Sequence, residues 1–381
     1  MYNQSRNIVI IGGNDAGLSA AGRAHRLNSH VNIVVLEKSG SAGYFSCGFP
    51  FFLAGDISAE RVSGPDKNEI EKKQGFSVEL ATEAVHIDVP KRRVIALQNG
   101  KEKAFPYAKL VIATGARPIL PKALDCHAAN LFLLRNFDQA KRLEDYIVQN
   151  KPKTAAIIGA GMLGLEMAEA FVKRKIETFL IDKGDTLLPR YFQEISSIVM
   201  ASLTRQGIKL ELNTEVTRTI LSNGKITSIQ CKNGLSYQPD IILVASGIKP
   251  NTALAQQANI PLGCTGAIAV NRHMETKRMN IFAAGDVAES RNIVCKKNMW
   301  VPYAGIAAKQ GRVAGSHIAG KNATMPCVAG TVMIKVFGLE CGATGLTWDQ
   351  AHKAGFDPVY TVITQKSKPN PMPGAGDVTV A

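Results

Sequence analysis

The stretch Tyr44-Phe45-Ser46-Cys47-Gly48-Phe49-Pro50 sets one cysteine in a turn of small residues just ahead of the apolar run Phe51-Phe52-Leu53. That arrangement predicts a helix start, where free N–H groups and the helix dipole favour thiolate over thiol. A thiolate attacks disulfides, so Cys47 is the candidate nucleophile. The alternative is an ordinary packed thiol, one of seven in the chain.

Two glycine turns supply the setting for that thiol. The β-branched run from Arg6 to Ile11 leads into Gly12-Gly13-Asn14-Asp15-Ala16-Gly17 and an Ala-rich stretch to Leu27, which reads as strand, turn and helix. Against the dinucleotide pattern G-x-G-x-x-G the middle glycine is Asn14, while Gly12 and Gly17 keep the tight turn and the close helix packing. A second strand, Val31 to Leu36, ends in Glu37, about where an acid meets a ribose; a βαβ unit without ligand is the alternative. Residues 154–182 repeat the plan with every glycine in place: Gly159, Gly161 and Gly164, then a helix to Lys175, a strand from Thr178 and Asp182 at its end. Two bound dinucleotides are implied.

The elements between must position these groups. A charged helical segment is expected over 60–74 and strands near 77–80 and 93–97, with Asn99-Gly100 as a hairpin turn. The buried strand from Lys109 ends in Ala113-Thr114-Gly115 before Pro118, a pattern for backbone close to a ligand and a chain leaving for another domain near Pro121. Asp240–Asn251 repeats that exit and predicts a return to the first domain. Residues 280–286 form a strand ending in Gly285-Asp286, Ala304–Ile318 a helix, Gly330–Val336 a strand turned by Gly342–Gly345, and Asp349–Ala354 a short helix. The last strand, Val378-Thr379-Val380, is expected to stop without a partner.

Composition narrows the class. At 381 residues the chain is too long for a single core, and with 45% hydrophobic and 20% charged residues it is globular. No apolar run reaches the length of a membrane span. Seven scattered cysteines without a C-x-x-C pair indicate neither a disulfide framework nor a metal site, and point to a reducing, cytoplasmic setting. The net charge of +14 is spread along the chain without an aromatic-basic motif, which fits phosphorylated small molecules better than nucleic acid.

Taken together, Gly12–Gly17 with Glu37, Ser46–Pro50, Ala113–Gly115, Gly159–Gly164 with Glu166, Ser246–Asn251, Ala283–Asp286 and Gln310-Gly311-Arg312 resemble the pyridine nucleotide-disulfide oxidoreductases. The resemblance is to their single-cysteine branch of coenzyme A-disulfide reductases, polysulfide reductases and NADH oxidases. It implies an α/β fold with two Rossmann-like domains: an FAD domain over 1–120 and 251–325, interrupted by an NAD(P)H domain over 121–250. A partial α+β interface domain would follow over 326–381. By that similarity Gly12, Gly17, Glu37, Ala113, Thr114, Gly115 and Asp286 hold FAD, with Asp286 on the ribityl chain. Gly159, Gly161, Gly164 and Asp182 hold the nicotinamide nucleotide, Glu166 lies near the nicotinamide and Gly247 lines its pocket.

The fifth position after Cys47 is Phe52, so the C-x-x-x-x-C dithiol of glutathione-reductase relatives is absent and the lone thiol traps its substrate as a mixed disulfide or persulfide. Asp15 stands where peroxidase and oxidase members carry a histidine, which favours sulfur reduction over an oxidase. Arg23, His25 and Arg26 resemble the basic residues that meet coenzyme A phosphates, or else form a solvated helix face. Asp182 favours NADH, since its carboxylate would repel a 2′-phosphate. Where relatives have a tyrosine pair this chain reads Pro371-Met372-Pro373-Gly374, and the resemblance implies an interface domain that is shortened here, so the homodimer of relatives is expected to be weakened or altered. An oxidase, a reductase of a protein partner and a non-catalytic flavin-bound sensor remain the other readings.

Overall fold

The computed structural model describes residues 7–188, 191–369 and 371–381, so Arg6, expected at the head of the first strand, lies outside the described residues. The chain divides into two compact units. One holds the chain up to Ile119, Leu134–Gln149 and Ile248–Val328; the other holds Leu120–Leu133, Asn150–Gly247 and Ala329–Ala381.

Each unit is built on a five-stranded parallel sheet, and the two sheets share a plan. In the first unit the order is Ile281–Ala283, Lys109–Ile112, Asn7–Ile11, Asn32–Leu36, Ser77–Glu79. In the second it is Lys209–Glu211, Glu177–Ile181, Thr154–Ile158, Ile241–Val244, Leu131–Phe132. Both central strands are buried along nearly their whole length, as parallel strands covered on two faces require. Each is followed by the helix of its glycine turn, Asp15–Leu27 or Met162–Lys173. Each unit also carries an antiparallel meander, just before the strand Lys109–Ile112 in the first and just before Ile241–Val244 in the second. These are Thr82–Asp88, Arg93–Gln98 and Lys101–Pro106 in the first, and Val216–Ser222, Lys225–Cys231 and Ser236–Tyr237 in the second. Asn99-Gly100 turns one hairpin and Asn223-Gly224 the other.

The helix Ala304–Ile318 crosses Asp15–Leu27 at backbone distance. A Cβ on Gly311 would lie 2.2 Å from the Ala16 carbonyl oxygen, and one on Gly315 2.3 Å from that of Ala20. Small residues on both helices permit this approach, and it fixes the helix that opens at the first glycine turn. The exit strand Ala116–Pro118 pairs antiparallel with the return strand Ile248–Pro250, so the repeated pattern read in the sequence is a pair of strands in contact.

Three expectations are corrected. The charged segment 60–74 is not one helix: Ser63-Gly64-Pro65 breaks it, and Asp66 caps a helix of its own, Lys67–Gln74, accepting from the Asn68 N–H at 2.8 Å. The strand Val332–Val336 does not turn at Gly342–Gly345 but at Phe337-Gly338, because Leu339–Ala343 returns beside it. The terminal strand Asp377–Val380 has a partner, Ile363–Lys366, since the intervening loop closes through Ser367 N–H to the Gly376 carbonyl at 2.8 Å. Among the described residues no helix is long and apolar enough to cross a membrane.

Candidate active site

Cys47 sits in the 3-10 turn Ser46–Gly48, immediately before the helix Phe49–Ala54, and it is exposed. That helix has six residues, so its dipole adds less to thiolate stability than the sequence reading assumed. The turn is held from below. Phe45 N–H donates to the Val62 carbonyl at 2.9 Å, Gly48 N–H to the Phe45 carbonyl at 3.0 Å, and a Cβ on Gly48 would strike Phe45 and Val62 at 2.7 Å. Tyr44 stacks on Phe49 at 6.0 Å between ring centroids. Phe52, where a dithiol partner would stand, is buried. None of the seven cysteines is in a disulfide.

In the same unit, the first glycine turn is a cradle with no room for side chains. Gly12 has φ +111, and a Cβ there would lie 2.1 Å from the Ala113 carbonyl oxygen; on Gly17 it would lie 1.8 Å from that of Gly12. Glu37 is buried and grips the loop: one carboxylate oxygen accepts from Gly13 N–H at 2.7 Å, the other from Ser39 N–H at 2.9 Å and Ser39 Oγ at 2.6 Å. Thr114 and Asn251 form a reciprocal clasp, Thr114 Oγ1 donating to the Asn251 carbonyl and Asn251 Nδ2 to that of Thr114, both at 2.8 Å.

Charge gathers beside this turn. Asp286 pairs with Arg135 at 3.1 Å, and Gly285 is fixed by its N–H donating to Gln310 Oε1 at 2.7 Å. A Cβ on Gly285 would touch that of Ala16 at 2.8 Å, which puts Asp286 against the start of the Asp15–Leu27 helix. Burial pushes the Asp286 carboxyl up, with Arg135 opposing; burial and then the charge of Asp286 push Asp15 up. Burial also raises the Tyr44 phenol, with the Glu37 charge adding to it. The Asn14 Oδ1 and Arg135 Nε atoms are buried without a partner. A guanidinium N–H without a partner beside a helix start suits an anionic ligand.

The second unit repeats the cradle. Gly159 has φ +117, and its Cβ would lie 2.3 Å from the Ala245 carbonyl oxygen; that of Gly164 would lie 2.0 Å from that of Gly159. Asp182 accepts from Ala160 N–H at 2.6 Å and from Gly184 N–H at 2.7 Å. Glu166 follows on the helix, its carboxyl pushed up to about 7 by burial and then by Glu169. Gly247 is exposed, with φ +107.

The family described as pyridine nucleotide-disulphide oxidoreductase matches residues 6–311. The chain belongs to this family. It is similar to the NAD(P)H sulfur oxidoreductase (CoA-dependent) of Pyrococcus furiosus, 36% identical over 98% of this chain and 84% of that protein. The NAD(P)H coenzyme A polysulfide/persulfide reductase of Pyrococcus horikoshii is 33% identical over 99% of this chain and 84% of its own. Among solved structures, the NAD-dependent persulfide reductase from A. fulgidus superposes with a TM-score of 0.93, at 31% identity, covering 98% of this chain and 70% of that one.

Members of this family use FAD and NAD(P)H, and the first glycine turn fits FAD. Its cradle excludes side chains, its helix start presents free N–H groups, and Arg135 keeps a donor in reserve. Arg135 was not legible in the sequence, since it follows a two-residue strand and belongs to no motif. Glu169, just after Glu166 on the same helix, was also missed. The basic residues of the first helix diverge: Arg23 Nε donates to Ser316 Oγ at 2.9 Å, the His25 ring packs on Gly75, and Arg26 is exposed.

Proposed function

We propose that this oxidoreductase reduces a small disulfide, persulfide or polysulfide, of the kind coenzyme A forms, on Cys47. The observation that carries the reading is the exposed Cys47 thiol in a turn tied down by backbone hydrogen bonds, with buried Phe52 where a second cysteine would be needed for an internal dithiol. The names of the Pyrococcus relatives and of the A. fulgidus reductase support the same substrate class.

The Cys47 thiolate attacks one sulfur of R–S–S–R′, forming a Cys47–S–S–R bond while R′S⁻ leaves and takes a proton. FAD and NAD(P)H, when bound, would supply the hydride equivalent, two electrons and a proton, that a mixed disulfide needs to give back the Cys47 thiolate and RSH. The protein's part is to hold the reacting groups. Gly12, Gly17, Glu37, Ala113–Gly115, Arg135 and Asp286 would bind FAD, and Gly159, Gly161, Gly164, Asp182, Glu166 and Gly247 the nucleotide. Asp182 selects NADH, because a 2′-phosphate would meet its carboxylate. Arg26 is the exposed cation on the first helix available to a substrate phosphate. A reducing, cytoplasmic setting suits a reductase whose cysteines form no disulfide.

Steady-state turnover with NADH and coenzyme A disulfide or polysulfide tests this. Cys47→Ser should lose about a thousandfold or more in rate while keeping its flavin. Parental turnover by that variant would remove Cys47 from the chemistry.

A further inference from the structure

The hairpin Val332–Ala343 reaches the helix of the second glycine turn through one residue. Phe337 N–H donates to one carboxylate oxygen of Glu169 at 2.6 Å, and Lys335 Nζ donates to the other at 3.1 Å. Lys173, a turn along the same helix, closes on Glu169 at 3.2 Å. Glu169 is 8% exposed, yet all three contacts stabilise its anion. Burial pushes its carboxyl up, but these donors outweigh burial and the group ends below its ordinary value. Three residues earlier, on the same side of the helix, stands Glu166.

We propose that Glu169 is a positioning residue of the nicotinamide-nucleotide site: the hairpin fixes it as an anion, and that anion sets the protonation state in which Glu166 meets the nucleotide. The proposal rests on the reading that Glu166 lies beside the nicotinamide. A fixed negative charge one turn away and a dry setting both disfavour a second carboxylate. The elements packed against this helix bring Lys335 and Glu340, which face each other across the hairpin, and Glu177 on the neighbouring strand. The charge that bears on Glu166 is that of Glu169. A nucleotide that covers Glu166 dries it further, so binding favours the protonated form and takes up a proton.

The test is calorimetric titration of the flavin-loaded protein between about pH 5.5 and 8.5 with two probes, 1,4,5,6-tetrahydro-NAD, which cannot give hydride, and ADP-ribose, which lacks the nicotinamide. Affinity for tetrahydro-NAD should fall as pH rises through about 7, by about tenfold per unit at most, while ADP-ribose shows no such step. Glu169→Gln should move the midpoint down by about one unit, and Lys335→Met should move it up by less. Glu169→Asp, which keeps the charge, should restore the parental midpoint. A merely structural role would weaken binding at every pH and leave the midpoint alone. An unmoved midpoint in Glu169→Gln, with flavin content and melting as in the parent, would overturn the coupling. The same pH step with ADP-ribose would instead overturn the placement of Glu166, and the proposal with it.

Discussion

The two glycine turns share a backbone and differ in how they are finished. In the first, the acid is Glu37, buried and held by three donors, the middle glycine is replaced by Asn14, and Asp15, Asp286 and Arg135 crowd the helix start. In the second, Asp182 is partly exposed and a Cβ on Gly161 would meet nothing within 4 Å. A crowded turn with preset partners suits a ligand that stays, and an open one suits a ligand that comes and goes. The shared fingerprint supplies the cradle in both units, and the residues around it set the two apart.

Adding the same methyl to each turn gives the largest contrast. Gly12→Ala places a Cβ against the Ala113 carbonyl at a positive φ, so the purified protein should be largely colourless and less stable by several kcal/mol, about 3 or more. Gly161→Ala meets open space, so flavin content and melting should stay parental and only nucleotide affinity should change. Absorbance and calorimetry read both, and equal effects at the two sites would erase the distinction.

Changing the acids comes next. Asp182→Ala should narrow the preference for NADH over NADPH by about ten- to a hundredfold in kcat/KM, without loss of flavin. Glu37→Gln should lower flavin occupancy and leave the nucleotide preference as it was.

Glu166 sharpens the comparison through pH, since its raised carboxyl stands along the helix after the second turn, whereas the raised carboxyls of the first, Asp15 and Asp286, stand at the helix start itself. With its carboxyl pushed up to about 7, the folded protein holds a proton that the unfolded chain releases near 4.5. Its contribution to stability is therefore full at low pH and is lost as pH rises through about 7. Glu166→Gln should melt higher than the parent at about pH 8, by about 1–3 kcal/mol, and the gain should vanish near pH 5.

Asn14→Gly carries the smallest expected effect. It removes a buried oxygen without a partner and restores the fingerprint, so stability should rise by up to about 1 kcal/mol with flavin content unchanged. Lost flavin would show that Asn14 Oδ1 has work to do on the ligand.

Much of this was legible because glycine turns declare themselves. Gly12, Gly17, Gly159 and Gly164 sit where the backbone leaves no space for a Cβ, and that need shows in composition. The places of Glu37 and Asp182 at the ends of their strands were legible from spacing, but their grip on the N–H groups of the glycine turns was not. Arg135 and Glu169 were not: their partners, Asp286 and Phe337, lie 151 and 168 residues away, and no local pattern encodes such pairings. The second meander was missed although Asn223-Gly224 marks its hairpin as clearly as Asn99-Gly100 marks the first. The turn at Phe337-Gly338 carries no Asn or Asp to announce it, which is why Gly342 drew the reading instead.

The order of strands in the two sheets also bears on synthesis. The second sheet takes its five strands from residues 131–244, so the ribosome delivers it in one continuous stretch. The first begins at Asn7 but lacks its fifth strand until Ile281–Ala283 emerges, and its first helix lacks its neighbour until Ala304–Ile318 follows. The sheet that starts later is therefore completed earlier, while the amino-terminal sheet keeps the edge of Lys109–Ile112 open until Ile281–Ala283 arrives.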